Sequence, residues 1–332
     1  MKALVTGGSG FLGGRIVERL RVRGWTVRVL GRRECPDLEA AGVECFRGDV
    51  RDMDVVAASC EGVDAVVHVA GLAGFQAPRR AFFETNVRGT ANVLQGCLRH
   101  GVTRLVYTSS PSVVFGCGRK HIQGGDESIV YPDRYCAPYP ESKARAEKMV
   151  LDANGWEMSV EDPATGQFRV RRLATCALRP HLIWGPGDPH FTPEIIRRGR
   201  ARQLRIVGKG DNLVSMTHVD NAAEGHVKAL EALTVDGPLA GKAYFICDSE
   251  PVVLWDWIND VLARAGIRPV RRRVPYWFAY CCGALWELSG LFVRSDHQPR
   301  MTRFIAAQMA STHWFSTERA RRDFGYECVV GV

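Results

Sequence analysis

Lys2-Ala-Leu-Val-Thr-Gly-Gly-Ser-Gly-Phe-Leu-Gly-Gly14 is an apolar run that breaks into glycines and then turns helical. A parallel strand buried on both faces reads as such a run, and Leu12, Ile16, Val17 and Leu20 repeat at helical spacing after it. The stretch therefore predicts strand, tight turn and helix. Gly7 permits the turn, Gly10 lets the backbone approach a pyrophosphate without a Cβ in the way, and Gly13 lets the helix pack closely on the strand. Phosphates would lie at the helix N-terminus, where free N–H groups and the macrodipole favour anions. Glycine spacing of this kind is weak by itself, but the strand before it and the helix after it are the context that nucleotide binding requires.

The same alternation continues along the chain. Strands are expected at Thr26 to Leu30, Val43 to Phe46, Ala65 to Ala70, Arg104 to Ser110 and Cys176 to Pro180, and a helix that opens at Asn86 crosses back over the sheet. This rhythm specifies an α/β fold, a doubly wound parallel Rossmann sheet whose ligands sit at the carboxyl ends of its strands. Residues 1–180 are expected to form the dinucleotide-binding domain and 181–332 a smaller mixed α/β substrate lobe interleaved with it. Between Pro111 and Pro138, glycines and prolines predict a long loop of the kind that forms lids. Residues 154–168, with Gly155, Pro163 and Gly166, read as a surface excursion.

Strand two ends in Gly31-Arg32-Arg33, where a carboxylate would select the ribose 2′-OH and arginine a 2′-phosphate. The two arginines point to NADP, with NAD the alternative. Asp49 could reach the adenine edge or cap its own connection. Hydrophobic residues make up 46% of the 332 positions and charged ones 24%, which excludes a disordered or fibrous chain. The net charge of +8 is concentrated in arginine clusters such as 271–273, read as a solvated face and not as a nucleic-acid site. Eleven cysteines without CxxC or paired metal spacing are expected to be reduced thiols of a cytoplasmic protein, and no metal is expected.

Tyr139 and Lys143 lie four apart at the start of a helix, so both project from one face. A phenol with a pKa near 10 is a poor general acid, and a neighbouring ammonium would lower that value while also holding ribose hydroxyls. A strand tipped with hydroxyls, Thr108-Ser-Ser110, precedes the pair.

With these motifs in order, together with Asn86-Val-Arg-Gly89, Arg179-Pro180, Trp184-Gly-Pro-Gly187 and His218-Val-Asp220, the chain resembles the extended short-chain dehydrogenase/reductase family. Val106-Tyr-Thr-Ser-Ser-Pro-Ser-Val and Pro138-Tyr-Pro-Glu-Ser-Lys143 resemble its 3β-hydroxysteroid dehydrogenase branch. Leu178-Arg-Pro-His-Leu-Ile-Trp-Gly-Pro-Gly-Asp188 and His313-Trp-Phe-Ser316 are similar to bacterial 2-alkyl-3-oxoalkanoate reductases. The resemblance implies that Ser110 polarises the substrate oxygen, Tyr139 exchanges the proton and Lys143 supports tyrosine and ribose, with Ser112 as the alternative to Ser110. It places cofactor contacts on Gly7, Gly10, Phe11, Leu12, Gly13, Arg32, Arg33, Asp49, Val50, Ala70, Gly71, Tyr139, Lys143 and Pro180. His68 is expected to be a structural hydrogen-bonder, and His218 and Asp220 to fasten the lobes together. The activity implied is NADPH-dependent reduction of a 3-oxo group on a long-chain or sterol-like lipid, or the reverse oxidation, by a homodimer. A sterol dehydrogenase and an NAD-dependent sugar-nucleotide epimerase or dehydratase are the alternatives.

Residues 274–292 are the most apolar stretch, with Arg271 to Arg273 before it and Arg294 after it. Such a helix could be a substrate lid walled by Trp277 and Phe278, a core helix, or an interfacial helix touching a membrane from the cytoplasmic side.

Overall fold

The computed structural model describes residues 1–74, 77–161, 166–292 and 301–331, with no side-chain description for 289–292. Pro163 and Arg294 lie outside the described residues. Seven parallel strands form the central sheet: β1 (Lys2–Thr6), β2 (Thr26–Gly31), β3 (Glu44–Arg47), β4 (Ala65–His68), β5 (Arg104–Thr108), β6 (Ala174–Pro180) and β7 (Lys242–Ile246). Their order across the sheet is β7-β6-β5-β4-β1-β2-β3, with Lys2 opposite Thr26 and Ala3 opposite Ala65. Strand order reverses between β1 and β4, so the crevice at their carboxyl ends is the topological switch point.

The sheet is buried on both faces. One face packs Ile16, Val17 and Leu20 of the helix Phe11–Val22 with Ala222, Val227 and Leu230 of the helix Val219–Ala232. The other packs Val56, Val93 and Leu94 with Ala146 and Val150. Arg19 and Arg23 bind Glu224 across the first pair of helices, and Arg19 also lies 3.5 Å from Asp220. Residues after 180 thus supply β7 and one covering helix to the nucleotide-binding sheet itself.

Several local expectations need correction. The helix expected to open at Asn86 begins at Arg79, runs as a π-turn through Phe83–Arg88 and becomes regular at Gly89–His100. The extra residue of a π-turn breaks the 3.6-residue periodicity that marks a helix start. β5 stops at Thr108, and Ser110 instead caps the short 3₁₀ helix Pro111–Val114. The loop from 111 to 138 also contains a strand, Ile122–Gly125, that pairs with His313–Phe315 in a four-stranded sheet. The excursion after 154 is a hairpin, Glu157–Glu161 with Phe168–Arg172. Not all cysteines are free: Cys117 and Cys136 form a disulfide, because the loop folds back and brings their Cα atoms to 5.1 Å.

The helix Tyr276–Phe292 buries Ala279 and sets Gly283 against Thr302, where a Cβ would stand 3.0 Å from the carbonyl oxygen. Trp277, Phe278, Leu285, Trp286 and Leu288 are exposed. Among the described residues no helix is long and apolar enough to cross a membrane.

The glycine loop generates a paired test. A Cβ on Gly13 would lie 2.1 Å from the Gly7 carbonyl oxygen, whereas one on Gly14 would meet nothing nearer than 3.7 Å. Gly13→Ala should destabilise the protein by about 1–3 kcal/mol or more. Gly14→Ala should be neutral or stabilising by up to about 1 kcal/mol, from helix propensity. Denaturant unfolding of the two variants checks this, and equal effects would contradict the packing described.

Candidate active site

The carboxyl ends of six parallel strands bring the expected cofactor and catalytic residues to one edge of the sheet. Gly7 follows β1 with φ of +71°, and its N–H donates to the Leu30 carbonyl at 2.7 Å. A Cβ there would stand 3.0 Å from the Ala70 backbone, so the turn after β1 and the end of β4 touch at the switch point. Gly10 starts the helix, with Phe11, Leu12 and Gly13 in its first turn; no side chain caps that turn and no acidic residue lies in it. Those N–H groups and the clearance around Gly10 and Gly13 fit a bound pyrophosphate. Ala70 donates its N–H to the Thr6 carbonyl at 3.0 Å, and Pro180 closes β6 opposite Ile246.

At the adenine-ribose end, Arg32 and Arg33 are exposed after β2. Asp49 is committed to its own turn: its carboxylate accepts the Arg51 backbone N–H at 2.9 Å and the Arg51 guanidinium at 2.9 and 3.0 Å. The Arg51 hydrogen bond holds that carboxyl below its usual range, and the Arg32 charge adds to the effect. Val50 is buried, with its carbonyl accepting from Asn92 at 2.9 Å.

Tyr139 and Lys143 stand on the helix Pro138–Asp152, joined one turn on by Glu147. The Ser110 side chain is near enough to Tyr139 to act on its phenol. Ser110 Oγ accepts from the Ser112 N–H at 3.2 Å, while the Ser112 hydroxyl is buried without a partner. Burial raises the Tyr139 phenol above its ordinary value and the Ser110 hydroxyl opposes this. The expected lowering by Lys143 does not appear here, because that ammonium donates to the Thr108 carbonyl at 2.5 Å and lies 4.3 Å over the Tyr107 ring. Burial pushes Lys143 itself down to about 7, against the opposing charge of Glu147.

Glu147 has no exposed surface and is held by Arg179 of β6 through N–O contacts of 2.6 to 3.2 Å, and by the Tyr131 hydroxyl at 2.6 Å. Burial raises its carboxyl, but Arg179 and these bonds more than offset that and leave it below the ordinary value. His68 bonds the Thr6 and Thr90 hydroxyls at 2.7 and 3.0 Å, and burial lowers it to about 3, so it stays a neutral hydrogen-bonder.

Sequence reasoning missed Asn86 as a site residue. Its amide accepts the Leu72 N–H at 2.7 Å and donates to the Leu72 carbonyl and to Ser142 Oγ, pinning the Gly71 turn to the tyrosine helix. A Cβ on Gly71 would lie 3.3 Å from Asn86 Oδ1 and 3.8 Å from Lys143 Nζ. Beyond the nucleotide loop, a groove of about 640 Å³ is lined by Gly185, Gly187, Pro193, Ile196, Arg197 and Arg200; a Cβ on Gly187 would lie 3.9 Å from the Phe11 ring.

A profile of the 3-beta hydroxysteroid dehydrogenase/isomerase family matches residues 4–275. The chain belongs to that family. It is an NAD(P)-dependent short-chain oxidoreductase. Within the family it is 42% identical to a 2-alkyl-3-oxoalkanoate reductase of Shewanella oneidensis, over 99% of this chain and 83% of the relative. It is 41% identical to one of Stenotrophomonas maltophilia, over 100% and 96%. A mouse sterol-4-alpha-carboxylate 3-dehydrogenase, decarboxylating, is 34% identical over 99% and 87%. Among solved structures, dTDP-glucose 4,6-dehydratase of Streptomyces venezuelae superposes with a TM-score of 0.71 at 24% identity, covering 100% of this chain and 93% of that one, which is a likeness of fold.

The buried lysine makes stability depend on pH in a defined direction. With a folded pKa of about 7 and an unfolded value of about 10.4, the unfolded chain binds more protons at this site between those limits. The site's contribution is complete above about pH 10.4 and is lost as pH falls to about 7. Relative to Lys143→Met, the unmodified protein should therefore gain up to about 1.4 kcal/mol per pH unit from pH 7 to 9. Urea unfolding at pH 7, 8 and 9 measures the difference, and a flat or falling one would show that the lysine is not desolvated.

Proposed function

We propose that the protein is an NADPH-dependent reductase of a 3-oxo acid carrying a long alkyl chain, a 2-alkyl-3-oxoalkanoate. The observation that carries this reading is the convergence of Ser110, Tyr139 and the buried Lys143, whose ammonium reaches the Thr108 carbonyl, on the edge of the sheet that holds the nucleotide loop. When bound, the dihydronicotinamide supplies the hydride. The Ser110 and Tyr139 hydroxyls would hold the substrate carbonyl oxygen, and Tyr139 would give it a proton as negative charge develops there. Lys143, close to Gly71 and the Thr108 carbonyl, would support the tyrosinate that remains and bind the ribose.

Two relatives' names support the substrate class. A 2-alkyl-3-oxoalkanoate and a sterol-4α-carboxylate oxidised at carbon 3 both carry oxygen one carbon away from the carbon that bears the carboxyl group. The same family also includes a 3 beta-hydroxysteroid dehydrogenase/isomerase of Mycobacterium tuberculosis, 34% identical, whose name includes no such carboxylate, so the acid is the point to test. The two exposed arginines after β2 support NADPH over NADH, by about 1.5–3 kcal/mol for a charge-assisted bond.

One panel decides between the readings: a long-chain 2-alkyl-3-oxo acid, its methyl ester, a steroid 3-ketone and UDP-glucose, each with NADPH and NADH. The free acid with NADPH should turn over fastest, and Arg32→Ala with Arg33→Ala should erase most of the NADPH preference. Faster reduction of the steroid ketone, or conversion of the UDP-sugar without added cofactor, would overturn the proposal.

A further inference from the structure

The disulfide between Cys117 and Cys136 joins the two segments that carry the paired hydroxyls. Cys117 lies just beyond the 3₁₀ helix that Ser110 caps, and Cys136 lies three residues before Tyr139, at the entry to its helix. The loop between them is anchored in its middle. Its strand Ile122–Gly125 pairs with His313–Phe315, Tyr131 bonds Glu147, and Tyr135 donates to the Val113 carbonyl at 2.8 Å. The Tyr135–Val113 hydrogen bond ties the two ends of the loop, the bridge adds a covalent tie beside it, and those ends adjoin Ser110 and Tyr139.

The pair is also placed for reaction. Cys117 is exposed and flanked by Gly116, Gly118, Arg119 and Lys120, and a cavity of about 260 Å³ beside it is lined by Gly116, Cys117, Lys120, Tyr131 and Pro132. Cationic neighbours favour attack by, and release of, thiolate at such a site. The other nine cysteines are free, and Cys60, Cys97, Cys176 and Cys247 are buried where thiol exchange has no access.

We infer that Cys117 and Cys136 form a reversible thiol–disulfide modification site that sets the spacing of Ser110 and Tyr139, and that its reaction partner is a dithiol reductant. A thiolate of the dithiol attacks the exposed Sγ of Cys117, forming a mixed disulfide; the Cys117–Cys136 bond breaks and Cys136 leaves as thiolate and takes up a proton. The second thiol of the reductant then closes its own disulfide and releases Cys117, so two electrons pass to the protein and the dithiol is oxidised. With the bridge open, the Tyr135–Val113 hydrogen bond holds the two ends without the covalent tie, and they fluctuate more. The consequence is slower turnover without loss of nucleotide affinity, because Gly7 to Gly13 lie on another strand end.

The inference rests on the proposed function only through the catalytic roles of Ser110 and Tyr139, so the test has a readout that needs no substrate. The full-length protein is equilibrated with oxidised and with reduced dithiothreitol, alkylated for mass measurement, and followed by hydrogen exchange. Reduction should add two alkylatable thiols and raise exchange about tenfold in residues 111–121 and 131–141, leaving 2–31 unchanged. Turnover should fall about threefold and recover on reoxidation, with the KM for NADPH constant. Cys117→Ser with Cys136→Ser should match the reduced protein in either buffer. Unchanged thiol number, unchanged exchange at 111–141, or turnover equal in both states would overturn the modification site. Absence of ketone reduction in both states, with the exchange result intact, would count instead against the proposed function.

Discussion

A buried pair of charges fixes where the tyrosine helix lies. Glu147 has no exposed surface, and its carboxylate is matched by Arg179 from β6 and the Tyr131 hydroxyl from the loop over the site. Removing one partner of such a pair leaves an uncompensated charge, at a cost of about 3–5 kcal/mol. Tyr139, Lys143 and Glu147 form one stripe of that helix, so anchoring the last sets the register of the other two. Lys143 then reaches the Thr108 carbonyl at the end of β5, and Tyr139 meets Ser110 just beyond it.

The nucleotide side obeys a second constraint, of space. Gly7 touches the end of β4 and Gly13 touches Gly7, so strand, turn and helix can approach only where side chains are absent. Asn86 joins this side to the first, because its amide holds the Leu72 backbone and reaches Ser142 on the tyrosine helix. The π-turn of Phe83–Arg88 carries that asparagine, and such turns recur at functional sites. The Gly71 turn and the tyrosine helix are therefore parts of one hydrogen-bonded edge.

Much of this was legible because it is local. A two-sided apolar run followed by helical periodicity identifies β1 and its helix, and a spacing of four places Tyr139 and Lys143 on one face. Glu147 continues the same stripe at another interval of four, yet its meaning depends on Arg179, which no periodicity relates to it. The strand Ile122–Gly125 carries no strand signal of its own because its partner, His313–Phe315, lies far along the chain. Cys117 and Cys136 carry no spacing signal and meet only because the intervening segment is anchored at Tyr131 and Tyr135. The apolar stretch after Pro275 was legible as a helix, but hydropathy alone could not say that Trp277 and Phe278 face outward.

In the proposed reaction Tyr139 gives up the proton while the nucleotide is held elsewhere, and Tyr139→Phe separates the two when turnover and NADPH affinity are measured together. Loss of the general acid should lower turnover of the 3-oxo acid by about a hundredfold or more, while the Kd for NADPH stays within about threefold. Turnover within about threefold of the unmodified protein would contradict the assignment of this hydroxyl.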